Sequence, residues 1–129
     1  MSQIAFLGTG LLGSAMIESM LRRGLAVRVW NRTLSKARAL EALGATVAET
    51  PEAAVADADE IHLIVSDDAA VDGLLAQIAP HVRSSAIVID HTTASPAGTK
   101  VRLQRAAESG RRFLHAPVFM GPAMARESK

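Results

Sequence analysis

The chain has 129 residues, with 49% apolar side chains and 14 basic against 13 acidic groups. That is room for one domain with one core. It excludes a disordered chain, and no basic field marks a nucleic-acid binder. There are no cysteines, so disulfides and thiolate catalysis are excluded. No apolar run approaches the roughly 18–20 residues that span a bilayer and no basic leader opens the chain, so the expected setting is cytoplasmic, with no membrane partner.

In chain order, strands and helices alternate. Ile4–Leu7 is a short apolar run that reads as a buried strand, and it opens directly into Gly8, Gly10 and Gly13. Leu11–Arg23 reads as a helix with Leu12, Ala15, Met16, Ser19 and Met20 on one face, and Gly24 ends it. Ala26–Trp30 is a second strand. Ser35–Leu43 reads as a helix with Ser35 at its N-cap and Gly44 after its end. Thr46–Ala48 is a short strand, and Thr50-Pro51-Glu52 is a cap followed by proline in the first turn of a short helix that runs to Ala56. Glu60–Val65 is a strand. Asp68–Ile78 is a helix that turns Val71, Leu74, Leu75 and Ile78 inward. Ala86–Ile89 is a β-branched strand, Ser95-Pro96 starts a helix that runs to Ser109, and Arg112–Ala116 is the last strand. Helices between strands imply parallel pairing through right-handed crossovers. The expected fold is therefore α/β, an open doubly wound parallel sheet with ligands at the carboxyl ends of its strands.

The strand–turn–helix setting gives Gly8-Thr9-Gly10-Leu11-Leu12-Gly13 its meaning. Gly8 allows a tight turn off the strand, Gly10 lets the backbone approach a pyrophosphate, and Gly13 lets the helix pack close to the strand. The first N–H groups of the helix then face the anion. An NAD-type site carries a carboxylate at the end of the second strand for the ribose 2′-hydroxyl. Here that end reads Trp30-Asn31-Arg32-Thr33. Asn31 does not repel a 2′-phosphate, Arg32 can pair with one bidentately and stack on adenine, and Thr33 and Lys36 can add a donor and a charge. NADP(H) is expected in preference to NAD(H).

These residues resemble the β-hydroxyacid dehydrogenases, the family of 3-hydroxyisobutyrate and 6-phosphogluconate dehydrogenases. Phe6-Leu7-Gly8-Thr9-Gly10-Leu11-Leu12-Gly13-Ser14-Ala15-Met16 resembles the family's opening. Val29-Trp30-Asn31-Arg32-Thr33-Leu34-Ser35-Lys36 is most similar to its glyoxylate and succinic semialdehyde reductase branch, which uses NADPH. Val65-Ser66-Asp67-Asp68-Ala69-Ala70-Val71 resembles the family's turn beside the nicotinamide. Asp90-His91-Thr92-Thr93-Ala94-Ser95-Pro96 resembles its Asp-x-Ser-Thr-x-x-Pro loop, and His115-Ala116-Pro117-Val118-Phe119-Met120-Gly121-Pro122 its substrate loop.

The resemblance implies a Rossmann-type fold in which Gly8 to Gly13 hold the pyrophosphate and Asn31, Arg32 and Thr33 the adenosine phosphate. Val65, Ser66 and Ala70 would line the nicotinamide-ribose side, and Thr93 would touch the cofactor from the next strand end. Thr92 and Asp67 fit turn and helix-cap chemistry as well. The substrate loop departs from the family at Phe119 and Met120, where Ser and Gly are usual, leaving Gly121 and a more apolar lip. The imine reductases, which also carry Trp-Asn-Arg-Thr and Thr-Thr stretches, are therefore a sibling reading.

Hydride transfer to a carbonyl needs a proton donor near the developing alkoxide. In the family this is a lysine in a Gly-x-x-x-Asn-x-x-Lys run. No such run occurs here, and Lys36, Lys100 and Lys129, the three lysines of the chain, read as surface charges. No catalytic residue is expected within the chain, no metal-ligand spacing is found, and His91 and His115 are expected to be structural. Residues 1–129 are thus expected to form one NADP(H)-binding domain, cut before its last strands and a helical second domain. That missing part would carry the lysine and build a homodimer or larger oligomer. The intact protein would be an NADP-dependent oxidoreductase acting on a small-molecule substrate, a hydroxyacid, aldehyde, keto acid or imine. A non-catalytic nucleotide-binding module is the alternative.

Overall fold

The computed structural model describes residues 3–8, 11–92 and 95–116. Six strands are present: β1 (Ile4–Leu7), β2 (Val27–Trp30), β3 (Thr46–Val47), β4 (Glu60–Leu63), β5 (Ile87–Asp90) and β6 (Arg112–His115). All their pairings are parallel, in the order β3-β2-β1-β4-β5-β6. Five helices connect them: α1 (Leu11–Arg22), α2 (Leu34–Arg38), α3 (Pro51–Val55), α4 (Asp68–Ile78) and α5 (Pro96–Ser109). The chain leaves β1 toward β2 and β3, then returns to β4 on the other side of β1. That reversal opens a crevice at the carboxyl ends of β1 and β4.

The strand period of two sorts the core into two layers. Ile4 and Phe6 of β1 pack with Val27, Val29 and the α1 residues Ile17 and Met20. Ala5 and Leu7 face the opposite way, against Ile61, Leu63, Val88 and the inner faces of α3 and α4. Short helices are held by side chains as well as by packing. Thr50 caps α3 through the Ala53 N–H at 3.1 Å. Arg28 of β2 closes the other end of α3, its Nη1 donating to the carbonyls of Ala53, Ala54 and Ala56 at 3.2, 3.2 and 2.8 Å, where the helix dipole favours a cation.

Several sequence expectations are corrected. The helix expected over Ser35–Leu43 is α2 followed by a separate 3-10 turn, Glu41–Leu43, because the chain tightens at Leu40 to bury that side chain. The α2 N-cap position is Thr33, not Ser35, and Thr33 makes no side-chain capping bond. On α1, Ile17 is fully buried and was absent from the expected face, whereas Leu12 and Met16 are half-buried. β4 ends at Leu63 rather than Val65, because the Val65 N–H is taken by the Thr92 hydroxyl at 3.0 Å instead of a neighbouring strand. β5 lies one residue later than expected, and β6 stops at His115. α4 and α5 have the expected limits.

Candidate cofactor groove

At the crevice the chain forms a groove of about 760 Å³. Its floor comes from Gly8, Leu12 and Gly13, one end from Trp30, Asn31, Arg32, Thr33 and Lys36, and the opposite wall from Ile64, Val65, Ser66, Ala70, Leu74 and Gln77. The glycines belong here for steric reasons. Gly8 has φ of +94°, and a Cβ there would collide with the Ile64 carbonyl oxygen. Its N–H donates to the Trp30 carbonyl at 2.8 Å, tying the turn to the end of β2. A Cβ on Gly13 would lie 2.8 Å from the Gly8 carbonyl oxygen and 3.1 Å from Ile64 Cγ2, so α1 can approach β1 and β4 only without a side chain there.

At the β2 end, the Asn31 side chain donates to the Thr33 carbonyl at 2.9 Å and so shapes the turn. Arg32 and Lys36 are exposed, and neither side chain has a hydrogen bond or ion pair among the described residues. The groove lining holds these two cations and no carboxylate. On the far wall Asp67 caps α4, its Oδ1 accepting from the Ala70 N–H at 2.9 Å. That agrees with a cap role for Asp67 and leaves its carboxylate turned to the helix. Gln77 donates to Glu52 Oε1 at 3.0 Å, closing the groove against α3.

Nine of the residues expected at a cofactor site therefore line one groove: Gly8, Leu12, Gly13, Asn31, Arg32, Thr33, Val65, Ser66 and Ala70. Leu11 lies in the first turn of α1. Thr9, Gly10, Thr93, Phe119, Met120 and Gly121 lie outside the described residues. Trp30, Ile64, Leu74 and Gln77 went unrecognised in the sequence. Leu74 and Gln77 follow Ala70 by four and seven residues on α4, a helical-face spacing that would have found them.

Behind the groove lies a polar strip built by three strand ends. Thr92 is fully buried; its hydroxyl holds the Val65 N–H and its own N–H donates to Asp90 Oδ1 at 2.9 Å. Thr92 thus fixes the backbone of the groove wall. His62 and His91 stack, ring centroids 5.2 Å apart, with Phe6 stacked on His62 at 5.6 Å. His62 Nδ1 and His91 Nε2 are 2.9 Å apart, His62 Nε2 is 3.0 Å from Glu60 Oε1, and His91 Nδ1 donates to the Ala116 carbonyl at 3.0 Å. Both ring nitrogens of His91 are thus engaged within the fold. Two neutral imidazoles carry two N–H groups for these three contacts, so the half-exposed Glu60 contact is the one most cheaply left to water.

Burial pushes both imidazoles below the ordinary histidine value; Glu60 opposes this at His62, and the Ala116 carbonyl opposes it at His91. The fold therefore binds fewer protons than the unfolded chain just below pH 6.5, the ordinary value. Their contribution to stability is complete above that pH and is lost as the pH falls through the lowered values. Urea unfolding from pH 7.5 down to 5 is expected to show this decline, and His62→Gln with His91→Gln to flatten it. An unchanged slope in the double variant would reject the assignment.

The model of the NAD binding domain of 6-phosphogluconate dehydrogenase matches residues 3–129. The chain is 33% identical over 119 residues to the cytokine-like nuclear factor N-PAC of Xenopus tropicalis, covering 90% of this chain and 22% of that protein. It is 32% identical over 118 residues to glyoxylate/succinic semialdehyde reductase 2, chloroplastic, of Arabidopsis thaliana, covering 89% of this chain and 33% of that one. Mycobacterium tuberculosis 3-hydroxyisobutyrate dehydrogenase with L-serine superposes with a TM-score of 0.93 at 28% identity, over 98% of this chain and 44% of that chain. An imine reductase from Myxococcus stipitatus in complex with NADP+ superposes at 0.89 with 31% identity, over 95% and 43%. The chain spans less than half the length of each of these proteins. With the glycine turn, the parallel sheet and the match over nearly its whole length, the chain belongs to the family of the NAD binding domain of 6-phosphogluconate dehydrogenase.

Proposed function

We propose that this chain is the NADP(H)-binding domain of an oxidoreductase that reduces a small aldehyde, keto acid or imine. The supporting observation is a single groove that combines two glycines, without which the turn and α1 could not approach β4 so closely, with two cations whose side chains are unpartnered and with no carboxylate among its described residues. The residues fit the dinucleotide. Gly8 and Gly13 let the turn and the start of α1 sit against β4 with the helix N-terminus toward the pyrophosphate, Arg32 and Lys36 supply charge for a 2′-phosphate, and Val65 and Ser66 line the nicotinamide side. When bound, the cofactor supplies the hydride. The chain's own part is to hold and orient it, since no lysine of the chain lies in a proton-donor motif. The donor and the rest of the substrate site, together with a homodimeric or larger assembly, belong to a downstream domain of the kind by which the relatives exceed this chain in length. Residues 1–129 form one domain in this reading.

The phosphate preference is the testable part. Replacing Arg32 with Ala should weaken NADPH binding about 10–100-fold and leave NADH binding within about threefold, because a charge-assisted bidentate contact is lost from one ligand only. Fluorescence titration with both cofactors measures this. An unchanged NADPH-to-NADH ratio would reject the NADP(H) assignment and leave the dinucleotide site standing.

A further inference from the structure

Gln77 of α4 lines the cofactor groove but has no part in holding phosphate or nicotinamide. It lies seven residues past Ala70, about 10 Å further along the helix at 1.5 Å per residue. α4 thus runs from the Val65–Ser66 wall toward the far end of the groove. Glu52 fixes which end that is. Gln77 Nε2 donates to Glu52 Oε1 at 3.0 Å. Glu52 belongs to α3, the helix that Arg28 ties to β2 through the carbonyls of Ala53, Ala54 and Ala56. Gln77 therefore stands at the β2 end of the groove, on the wall that faces Asn31 and Arg32.

The contact with Glu52 also sets the orientation of the Gln77 amide. Carboxylate oxygens accept, so the amide nitrogen must be the limb that faces Glu52. A flip would set two oxygens against each other at 3.0 Å. Glu52 stands outside the groove lining, so the limb left for the groove is the carbonyl oxygen. It accepts no hydrogen bond from any described residue. The wall beside it is apolar: Leu74 lies one turn back on α4, and the half-buried Trp30 lies at the end of β2. The other carboxamide of the lining, Asn31, is engaged with the Thr33 carbonyl. An acceptor held at the margin of an apolar slot suits a flat heteroaromatic ring with an exocyclic amine.

We infer, as an extension that rests on the proposed dinucleotide site, that Gln77 reads the base. Its carbonyl oxygen accepts from the 6-amino group of adenine, and Glu52 is a positioning residue that keeps this oxygen turned into the groove. The 2′-phosphate and the base sit on one ribose. With Arg32 and Lys36 drawing the phosphate to one side of this end, the base is left to the facing wall of Leu74 and Gln77. Hypoxanthine carries a 6-keto oxygen in place of the amine and would set oxygen against oxygen. A free amide would turn over and donate to that oxygen, whereas one held by Glu52 must first break its 3.0 Å bond.

The test compares NADPH with its hypoxanthine analogue, deamino-NADPH, each titrated into the full chain and followed by nicotinamide fluorescence. The parent is expected to bind NADPH about 5–20-fold more tightly than the analogue. Gln77→Leu should weaken NADPH about 5–10-fold and bring the two nucleotides to within about twofold of each other. Glu52→Ala frees the amide to suit either base. NADPH should then bind within about threefold of the parent, while the preference falls to about twofold. A merely structural Glu52 would weaken both nucleotides together and leave their ratio unchanged. Both side chains reach the surface, and thermal unfolding checks that the variants are folded. Equal binding of the two nucleotides by the parent, or a full preference kept by Gln77→Leu or by Glu52→Ala, would overturn the base assignment and leave the dinucleotide site standing. Binding of neither nucleotide by the parent would instead overturn the dinucleotide site itself, and the base assignment with it.

Discussion

Replacing Gly8 with Ala is expected to destabilise the fold by about 3 kcal/mol or more and to abolish nucleotide binding. Two costs combine. The residue sits at φ of +94°, a conformation L side chains rarely adopt. The added Cβ also runs into the Ile64 carbonyl oxygen, which belongs to backbone and cannot rotate away. Relief would require β1 and β4 to separate where the Ile64 N–H donates to the Leu7 carbonyl at 3.1 Å. The crevice between those strands is the proposed cofactor site, so stability and binding should fall together. Gly13→Ala should act more narrowly. Its Cβ would meet the Gly8 carbonyl oxygen at 2.8 Å, which displaces α1 and weakens binding more than it weakens the fold. Urea unfolding together with NADPH titration separates the two. A Gly8→Ala protein within about 0.5 kcal/mol of the parent would contradict the steric argument.

Phe6→Ala is expected to cost about 3–5 kcal/mol, the range for deleting a fully buried aromatic side chain. Phe6 has no exposed surface and packs with Ile17, Met20 and Val29 on the α1 side of the sheet. It is also the apolar face on which His62 stacks, with ring planes within 5°. Its removal opens space beside a buried imidazole, and entering water weakens the desolvation that holds the His62 pKa down. The variant should therefore be less stable at neutral pH and should lose less further stability on acidification to pH 5 than the parent. Phe6→Leu, which keeps the apolar contact, should cost about 1–2 kcal/mol and keep most of the pH dependence. If Phe6→Ala instead steepened the acid dependence, water entry would not explain it.

Local signals in the sequence were informative where one residue type has one physical use. The cap at Thr50 followed by Pro51, the limits of α4 and α5, and the glycine turn at Gly8 were legible because each rests on backbone geometry within a few residues. The readings that failed depend on distant partners. The end of β4 is set by a hydroxyl 27 residues away, Thr92 on Val65. The break between α2 and its 3-10 turn follows from burying Leu40 against the sheet. The full burial of Ile17 follows from its packing against Ile4, Phe6 and Val29 of the sheet, where α1 sits close because Gly13 has no side chain.

The candidate site divides in the same way. Its glycines, its Asn31-Arg32-Thr33 turn and its Val65-Ser66 wall could be read from motifs placed after strands. Trp30 and Ile64 carried no such signal, since they become neighbours of Gly8 only when β2, β1 and β4 stand side by side, whereas Leu74 and Gln77 were within reach of the α4 spacing from Ala70. The stacked Phe6, His62 and His91 rings had no sequence signature at all, because β1, β4 and the residue just past β5 supply one ring each.

By itself, then, the sequence determined the alternation of strands and helices, the parallel sheet and the place of the glycine turn. Periodicity, caps and chain stiffness act over a few residues and need no knowledge of the rest. Only the tertiary structure decided which side chains share a groove and which charges remain unpaired among the described residues. Burial and electrostatic pairing are properties of neighbours in space, and in a parallel sheet those neighbours lie a whole crossover apart in the chain.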